Sequence, residues 1–484
     1  MKSMQKPIKT LVSVAIFALM AGTANAGSFS LYTESNGSAV GNFAAGIAAE
    51  AADASIGWYN PAGLALIRNQ QVVFGGVGVF PTSKITGTST FRTTGIPFPY
   101  VQTFNDLDGA HDAFVPSFHY ALPLGESATF GFSLVSPFGL KTIWGERSPV
   151  RYAATLSELQ TITASPEIGG KLSDNFALGA GIDFQYARVK FNRMLGAPTL
   201  MQFYNLFGVP VTPNFVDSES YNKGDSFGVG FHAGIMAMFN DNHTRIGLNY
   251  QSEMRQKFHG FSRLNGRLAS PGLDITDPFS VLLANPNALV KTNTLSSNSI
   301  DFPDIVTLSG YQDINEKLAL LASVVYTGWN SIKTIELNNA LAYAPPSATF
   351  AGGQVLVNSV STENYSDTWR FAIGANYRFN EQWMLRVGGG YDETPTNNTF
   401  RSIRIPDANR WALAIGGHYQ MRPNIGIDAG YTHLFAAEDP TINRTEVAGS
   451  TSTYNVTARG NAHADLVGVQ LTWLIDQPVP VPTK

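Results

Sequence analysis

The chain has 484 residues, of which 44% are hydrophobic and only 14% charged, with a formal net charge of −4. Soluble domains carry roughly 25% charged residues, so this chain is short of charge; 46 glycines and an aromatic content of 12% stand in their place. So small a charge gives no ground for a nucleic-acid partner, and the absence of cysteine excludes disulfides, thiolate catalysis and cysteine-ligated metals.

Lys2, Lys6 and Lys9 precede an apolar stretch over 11–20, and Ala24-Asn25-Ala26 supplies a small-residue cleavage site. Positive charges hold such a segment on the cytoplasmic side while the short apolar run engages the export machinery. Residues 1–26 therefore read as a removed signal peptide, because the run is too short for the ~20 apolar residues of a spanning helix. Nothing later reaches that length, so any membrane crossing must be made by strands. Residues 27–68 have a different character. The stretch 40–56 is rich in Ala and Gly, has Glu50 and Asp53 as its charges, and lacks strand alternation. It reads as short helical pieces, and its small side chains suit a plug inside a barrel better than a free periplasmic tail.

From 69 to 475 the hydrophobic period is two. Trp369, Phe371, Ile373, Ala375, Tyr377 and Phe379 alternate with Arg370, Ala372, Gly374, Asn376 and Arg378, and Val467, Val469, Leu471, Trp473 and Ile475 alternate with Gly468, Gln470, Thr472 and Leu474. One face of each strand is fit for lipid and the other is polar or tiny. About fourteen such segments begin near Gln70, Phe114, Ala128, Leu156, Phe176, Phe227, Thr244, Ile300, Leu318, Trp369, Trp383, Arg410, Ile425 and Arg459. Tight joins at 123–126, 172–175, 240–242, 315–316, 380–381 and 421–423 alternate with long ones at 81–112, 141–155, 196–223, 260–296, 336–367, 395–407 and 439–458. Short turns at one end and long loops at the other are the outer-membrane barrel pattern, and seven long and six short joins leave both termini in the periplasm. The expected fold is all-β: a transmembrane antiparallel β-barrel of about fourteen strands at 69–475, its lumen plugged by the partly helical N-terminal segment.

Three segments break the pattern. In the third strand Phe130, Phe132, Leu134 and Ser136 alternate with Gly131, Ser133 and Val135 until Pro137 interrupts. Proline removes a ladder donor and is confined to edges or bulges, and Gly139 supplies the freedom for a bulge. In the fifth strand Phe176, Leu178, Ala180, Ile182, Phe184 and Tyr186 face lipid, with Asp183 and Gln185 inward. Beyond Tyr186 the pattern inverts. Arg188 and Lys190 become outward, where they meet lipopolysaccharide phosphates above the hydrocarbon, and Val189, Phe191 and Arg193 become inward. An apolar inner wall with one cation above it suits a ligand with a long tail and an anionic head. After the last strand, Pro478, Pro480 and Pro482 cannot donate to a ladder, so 476–484 reads as a periplasmic tail.

No catalytic constellation emerges. Gly224-Asp225-Ser226-Phe227 resembles the start of a lipase-like motif but has no histidine–aspartate partner block, and Gly75-Gly76-Val77-Gly78 is followed by no helix that could cradle a phosphate. The eight histidines show no metal-binding spacing. No enzyme, metal or cofactor is expected.

The landmarks Gly27-Ser28-Phe29-Ser30-Leu31, Tyr59-Asn60-Pro61-Ala62-Gly63, Ser136-Pro137-Phe138-Gly139-Leu140, Tyr186-Ala187-Arg188-Val189-Lys190-Phe191-Asn192-Arg193, Gly230-Phe231-His232-Ala233-Gly234-Ile235, Tyr326-Thr327-Gly328-Trp329 and Ile405-Pro406-Asp407-Ala408-Asn409-Arg410 follow in order along the chain. In this order the sequence resembles the long-chain fatty acid transporter (FadL) family of outer-membrane proteins, which also includes aromatic-hydrocarbon channels. The resemblance implies a fourteen-stranded barrel with an N-terminal hatch. Outer loops catch the ligand, an apolar pocket holds it, a shift of the hatch releases it, and it leaves sideways where the third strand kinks. Phe29, Val189, Phe191 and Arg193 are the candidate ligand residues, and Asn60, Pro61 and Ala62 the candidate gate. Ser136, Pro137, Phe138 and Gly139 are the candidate lateral opening, with Phe138 lining it and Asn60-Pro61-Ala62 packed beside it. Two departures stand out: the chain continues past Ile475, and the stretch 357–363, where the family places a lysine for the ligand carboxylate, has no basic residue. The implied partners are a long-chain fatty acid or other hydrophobic ligand and the surrounding lipid, with a monomer as the expected state. A general diffusion porin, an outer-membrane lipid hydrolase and an adhesin are the competing readings; the plug argues against the first and the missing triad against the second.

Overall fold

The computed structural model describes residues 29–476, so the signal-peptide reading and most of the tail reading, 477–484, concern residues outside that range. Fourteen antiparallel wall strands follow one another round the barrel: Gln71–Thr93, Ala113–Leu124, Ala128–Val135, Leu156–Lys171, Phe176–Leu195, Ser218–Phe239, Thr244–Gln251, Ile305–Asp313, Leu318–Thr327, Thr368–Arg378, Trp383–Asp392, Arg410–Arg422, Ile425–Ala436 and Ser452–Leu474. Strands are counted below in this order. Each pairs with the next. The first pairs with the last from Gln71↔Leu474 to Thr93↔Ser452, which closes the sheet. Closure is what a bilayer demands, since it offers no partner to an open edge. No described helix is long and apolar enough to cross a membrane.

The alternation read from the sequence sets the two faces. On the tenth strand Trp369, Phe371, Ile373 and Tyr377 are exposed, whereas Arg370, Ala372 and Asn376 are buried inside. The long joins, in contrast, are only partly loops. Tyr100–Asp108 pairs with the first strand, Met254–Asn265 with Leu289–Phe302, Thr334–Ala344 with Gly353–Thr362, and Thr441–Val447 with the fourteenth strand. Much of 81–112, 260–296, 336–367 and 439–458, expected to be loop, is therefore strand. Above the hydrocarbon neither face must be apolar, so the period-two signal fades while the ladder continues.

Residues 29–67 lie within the barrel and are almost all buried. Their regular structure is limited to 3-10 turns at Ser38–Asn42 and Pro61–Leu66 and one short helix at Ile56–Tyr59. The segment meets the wall backbone to backbone, because the inward positions opposite it are glycine. A Cβ on Gly416 would stand 2.6 Å from Gly41 Cα, and one on Gly468 would stand 2.3 Å from the Gly37 carbonyl oxygen. Inward polar side chains complete the contact. Ser323 and Ser309 accept the Gly46 and Ala48 amides at 2.8 and 3.2 Å. Arg386 donates to Glu50 at 2.7 Å and to Asp428 at 3.2 Å, and Gln470 donates to Asp53 at 2.7 Å.

This packing makes a prediction. Gly416→Leu should push the segment off the wall at a cost of about 1–3 kcal/mol. Planar-bilayer conductance should rise from near silence while the barrel keeps its heat-modifiable mobility. A folded variant with unchanged conductance would show that this contact does not seal the lumen.

Candidate functional site

The fifth strand carries the site because it leaves the hydrocarbon part-way along. Phe176, Leu178, Ile182 and Phe184 are exposed on its outer face, with Asp183 and Gln185 buried inside. Past Tyr186 the outward Arg188 pairs with Asp225 at 2.8 Å and Lys190 with Glu158 at 2.5 Å. On the inner face Phe191 and Arg193 line a pocket together with Ile335, Leu337, Leu341 and Val357. A smaller crevice shares Phe191, Asn222 and Leu337 and adds Val189, Phe258 and Leu295. Val189 and Phe258 in turn belong to a buried apolar cluster with Phe29, Phe138, Phe302, Trp329 and Tyr365. The Phe29 ring lies 4.5 Å from Trp329 and 6.2 Å from Phe138. Val189, Phe191 and Arg193 of one strand and Phe29, some 160 positions earlier in the chain, thus lie along one seam that runs to the kinked strand.

The polar end of the seam holds a residue that the sequence did not single out. Arg193 lines the cavity, donates no hydrogen bond to the described residues and makes no salt bridge with them, while the charge of Glu446 acts on it through space. Arg404 lines it too, donating to Ser157 Oγ at 3.0 Å and to the Ala153 carbonyl at 2.6 Å, with its guanidinium 5.6 Å from the Phe191 ring centre. Burial, with Arg193 alongside, brings the Arg404 guanidinium down to about 10. The stretch 357–363 faces the same cavity through Val357, Ser359, Ser361 and Glu363. Glu363 accepts from Ser361 at 2.6 Å, and burial raises its carboxyl above the usual carboxylate range. A cation therefore does stand beside Arg193, but it comes from the loop after the eleventh strand. Arg404 sits outside any periodic segment, directly before the Ile405–Arg410 landmark, which was its one sequence signal.

The kink is a bulge with unusual partners. The third strand pairs with the fourth up to Val135↔Thr163 and again from Gly139↔Gln160, in the short continuation Gly139–Ile143. It thus carries one residue more than its neighbour across that interval. Thr161 Oγ1 accepts the Phe138 amide at 3.0 Å and donates to the Phe138 carbonyl at 2.6 Å. On the other side, pairing with the second strand stops at Phe118↔Leu134, and farther out the Ile143 amide donates to the carbonyl of Gly109, which precedes that strand, at 2.9 Å. The backbone groups freed between are met from inside. The Leu31 amide donates to the Pro137 carbonyl, and the Gly139 amide donates to the Phe29 carbonyl, both at 2.8 Å. Ser136 and Phe138 are buried.

One placement differs from the sequence reading. Asn60-Pro61-Ala62 does not pack beside the kink; residues 29–31 do. Asn60 Nδ2 donates to the Ala48 carbonyl at 2.8 Å and to Ile235 at 3.1 Å, and the Pro61 carbonyl lies over Gly169 and Gly179 of the fourth and fifth strands. Asn60 also accepts the Ala62 amide and so caps the turn that follows. The asparagine is needed there to satisfy backbone groups inside the plug. Among the described residues no group of three metal-ligating side chains occurs.

Over residues 17–474 the chain matches the family described as outer membrane protein transport protein (OMPP1/FadL/TodX). It is 29% identical over 467 residues to a long-chain fatty acid transport protein of Escherichia coli O6:H1, covering 94% of this chain and 96% of the relative. It is 27% identical to outer membrane protein P1 of Haemophilus influenzae, covering 97% of this chain and all of the relative. In fold it is similar to a crystal structure of a Pseudomonas aeruginosa FadL homologue, with a TM-score of 0.74 at 23% identity, over 94% of this chain and all of that one. It is also similar to the Pseudomonas putida toluene transporter TodX, with a TM-score of 0.57 at 15% identity, over 87% and 93% of the two chains. The fourteen-stranded barrel and the match along nearly its whole length together place the chain in the OMPP1/FadL/TodX family of outer-membrane transport proteins, which are transporters and not enzymes.

Proposed function

We propose that the protein takes up long-chain fatty acids by capture, hatch rearrangement and lateral exit. The observation that carries this reading is the seam itself: an arginine without a salt bridge at one end, apolar walls along it, and an interrupted ladder at the other end. The fatty acid cargo named for the Escherichia coli relative agrees with it. Phe207, Phe279 and Leu283 are more than two-thirds exposed at the outer helices, Pro198–Leu206 and Pro278–Leu283, and offer a landing place for a tail. Burial is worth about 0.8 kcal/mol per CH₂, so a chain of about sixteen carbons gains on the order of 10 kcal/mol. A carboxylate on Arg193 adds about 1–3 kcal/mol. The tail dominates, and a ligand held so tightly needs a moving part to leave. That part is the segment 29–31, hydrogen-bonded across the kink, rather than Asn60–Ala62. A second reading, a neutral hydrophobic cargo, is favoured by Glu363, whose carboxyl lines the same cavity.

Arg193→Ala separates the two cargoes. Oleate binding should fall about tenfold while the corresponding alcohol is spared; equal losses, read by isothermal titration, would contradict a head-group role and favour the neutral cargo.

The exit route has its own test. Deleting Pro137 alone removes the one extra residue of the bulge, keeps Gly139–Ile143 in their present register and facing, and should let the ladder of the third strand run straight. Oleate binding and heat-modifiable folding should stay near normal while growth on oleate is lost. Growth at the wild-type rate would end the lateral route.

A further inference from the structure

We infer that the outer face of the fifth and sixth strands, with the neighbouring extensions Met254–Asn265 and Leu289–Phe302, binds a phosphate-bearing glycolipid of the outer leaflet. The order of chemistries up this face carries the argument. Phe184, Phe227, Val229 and Tyr250 come first, exposed and apolar, facing acyl chains. Cations stand directly above them. Lys190 is opposite Lys223 in the ladder, Arg188 is opposite Asp225, and Lys257 is exposed on the next extension, its amide bonded to Ser226 at 2.9 Å. Arg188 and Lys190 are already held by Asp225 and Glu158. Lys223 and Lys257 make no salt bridge among the described residues, and Asp225, whose field reaches Lys223, is engaged by Arg188 and Tyr186.

Beside Lys223 and on the next rung beyond it lies an aromatic platform. Phe261, opposite Lys223, stacks on Tyr221 with ring centres 5.6 Å apart and planes at 19°. Arg263 lies 4.6 Å over Tyr221, and Lys291 lies 4.5 Å over Phe261. Acyl chains, phosphates, then sugars is the order of groups in a phosphorylated glycolipid, and apolar, cationic, then aromatic with cations is the order here. Two free ammonium groups suit phosphate oxygens, and flat aromatic faces suit the C–H faces of sugar rings. Elsewhere on the rim the outer ends of the eighth, tenth, eleventh and thirteenth strands bear Asp304, Asp367, Glu393 and Glu438, which repel phosphate. On the proposed face itself Glu219 holds Arg263 at 3.4 Å and Asp301 holds Arg255 at 3.0 Å, so the two lysines, Lys223 and Lys257, are the cations it offers to phosphate.

Native mass spectrometry of the purified barrel, titrated with bis-phosphorylated lipid A, its dephosphorylated form and phosphatidylglycerol, tests the site. The bis-phosphorylated lipid should be retained about tenfold better than either of the others, and Lys223→Glu with Lys257→Glu should abolish that preference. Glu438→Gln, on the far side, should leave it intact. Both lysines are on the surface, so heat-modifiable folding should be unchanged, and oleate binding by the double variant should match the wild type, which keeps this test separate from the uptake reading. Equal retention of the dephosphorylated form, equal retention of phosphatidylglycerol, or a preference that survives the double substitution would each overturn the assignment.

Discussion

A hydrocarbon layer leaves no backbone amide unpaired, and the architecture of this protein is arranged around that demand. Thirteen consecutive pairings and one closing pairing satisfy the wall strands. Where the third strand's ladders lapse on either side of the kink, other groups take over. Thr161 serves both backbone groups of Phe138 through one hydroxyl, and residues 29–31 serve Pro137 and Gly139 from within. The interruption is therefore satisfied by a segment that is covalently part of the plug but not part of the wall. In the uptake reading this is what makes a gate possible: breaking the contact exposes hydrogen-bonding groups only at the kink and leaves every other ladder intact.

The plug is not held evenly. At the Glu50 end it is tied through Arg386, which also engages Asp428, all three within the lumen. Breaking a buried pair by removing one partner costs about 3–5 kcal/mol. At the Phe29 end it is tied by two backbone hydrogen bonds, each worth about 1 kcal/mol net, together with aromatic packing on Trp329 and Phe138. Aromatic packing is what an apolar ligand can replace with its own surface, whereas it cannot replace the charge on Arg386. In the proposed uptake reading, this difference assigns the moving part to residues 29–31 and not to Asn60–Ala62, whose bonds are internal to the N-terminal segment or run to glycine-lined wall.

Much of this was legible in the chain itself, for a physical reason. Lipid on one side and a plugged lumen on the other impose opposite requirements on successive residues, so the strands, their number, the inward glycines and the inversion beyond Tyr186 are written locally with period two. The length of the ladders above the membrane was not legible, because water on the outer face removes the requirement that creates the pattern. Arg193 was readable since it ends a strand whose parity was already known.

Arg404 and the placement of residues 29–31 were decided only by the tertiary structure. Arg404 lies in a loop and reaches Ser157 and Ala153 some 250 positions away in the chain, a distance that no local pattern encodes. The segment 29–31 finds the kink because closing the barrel brings the third strand's unpaired groups to the lumen, where the N-terminal backbone is the nearest donor and acceptor. The sequence by itself determined which residues face lipid and which face inward, because that choice is made residue by residue. Which inward residues meet one another is decided by closure of the sheet, which brings distant segments into one lumen.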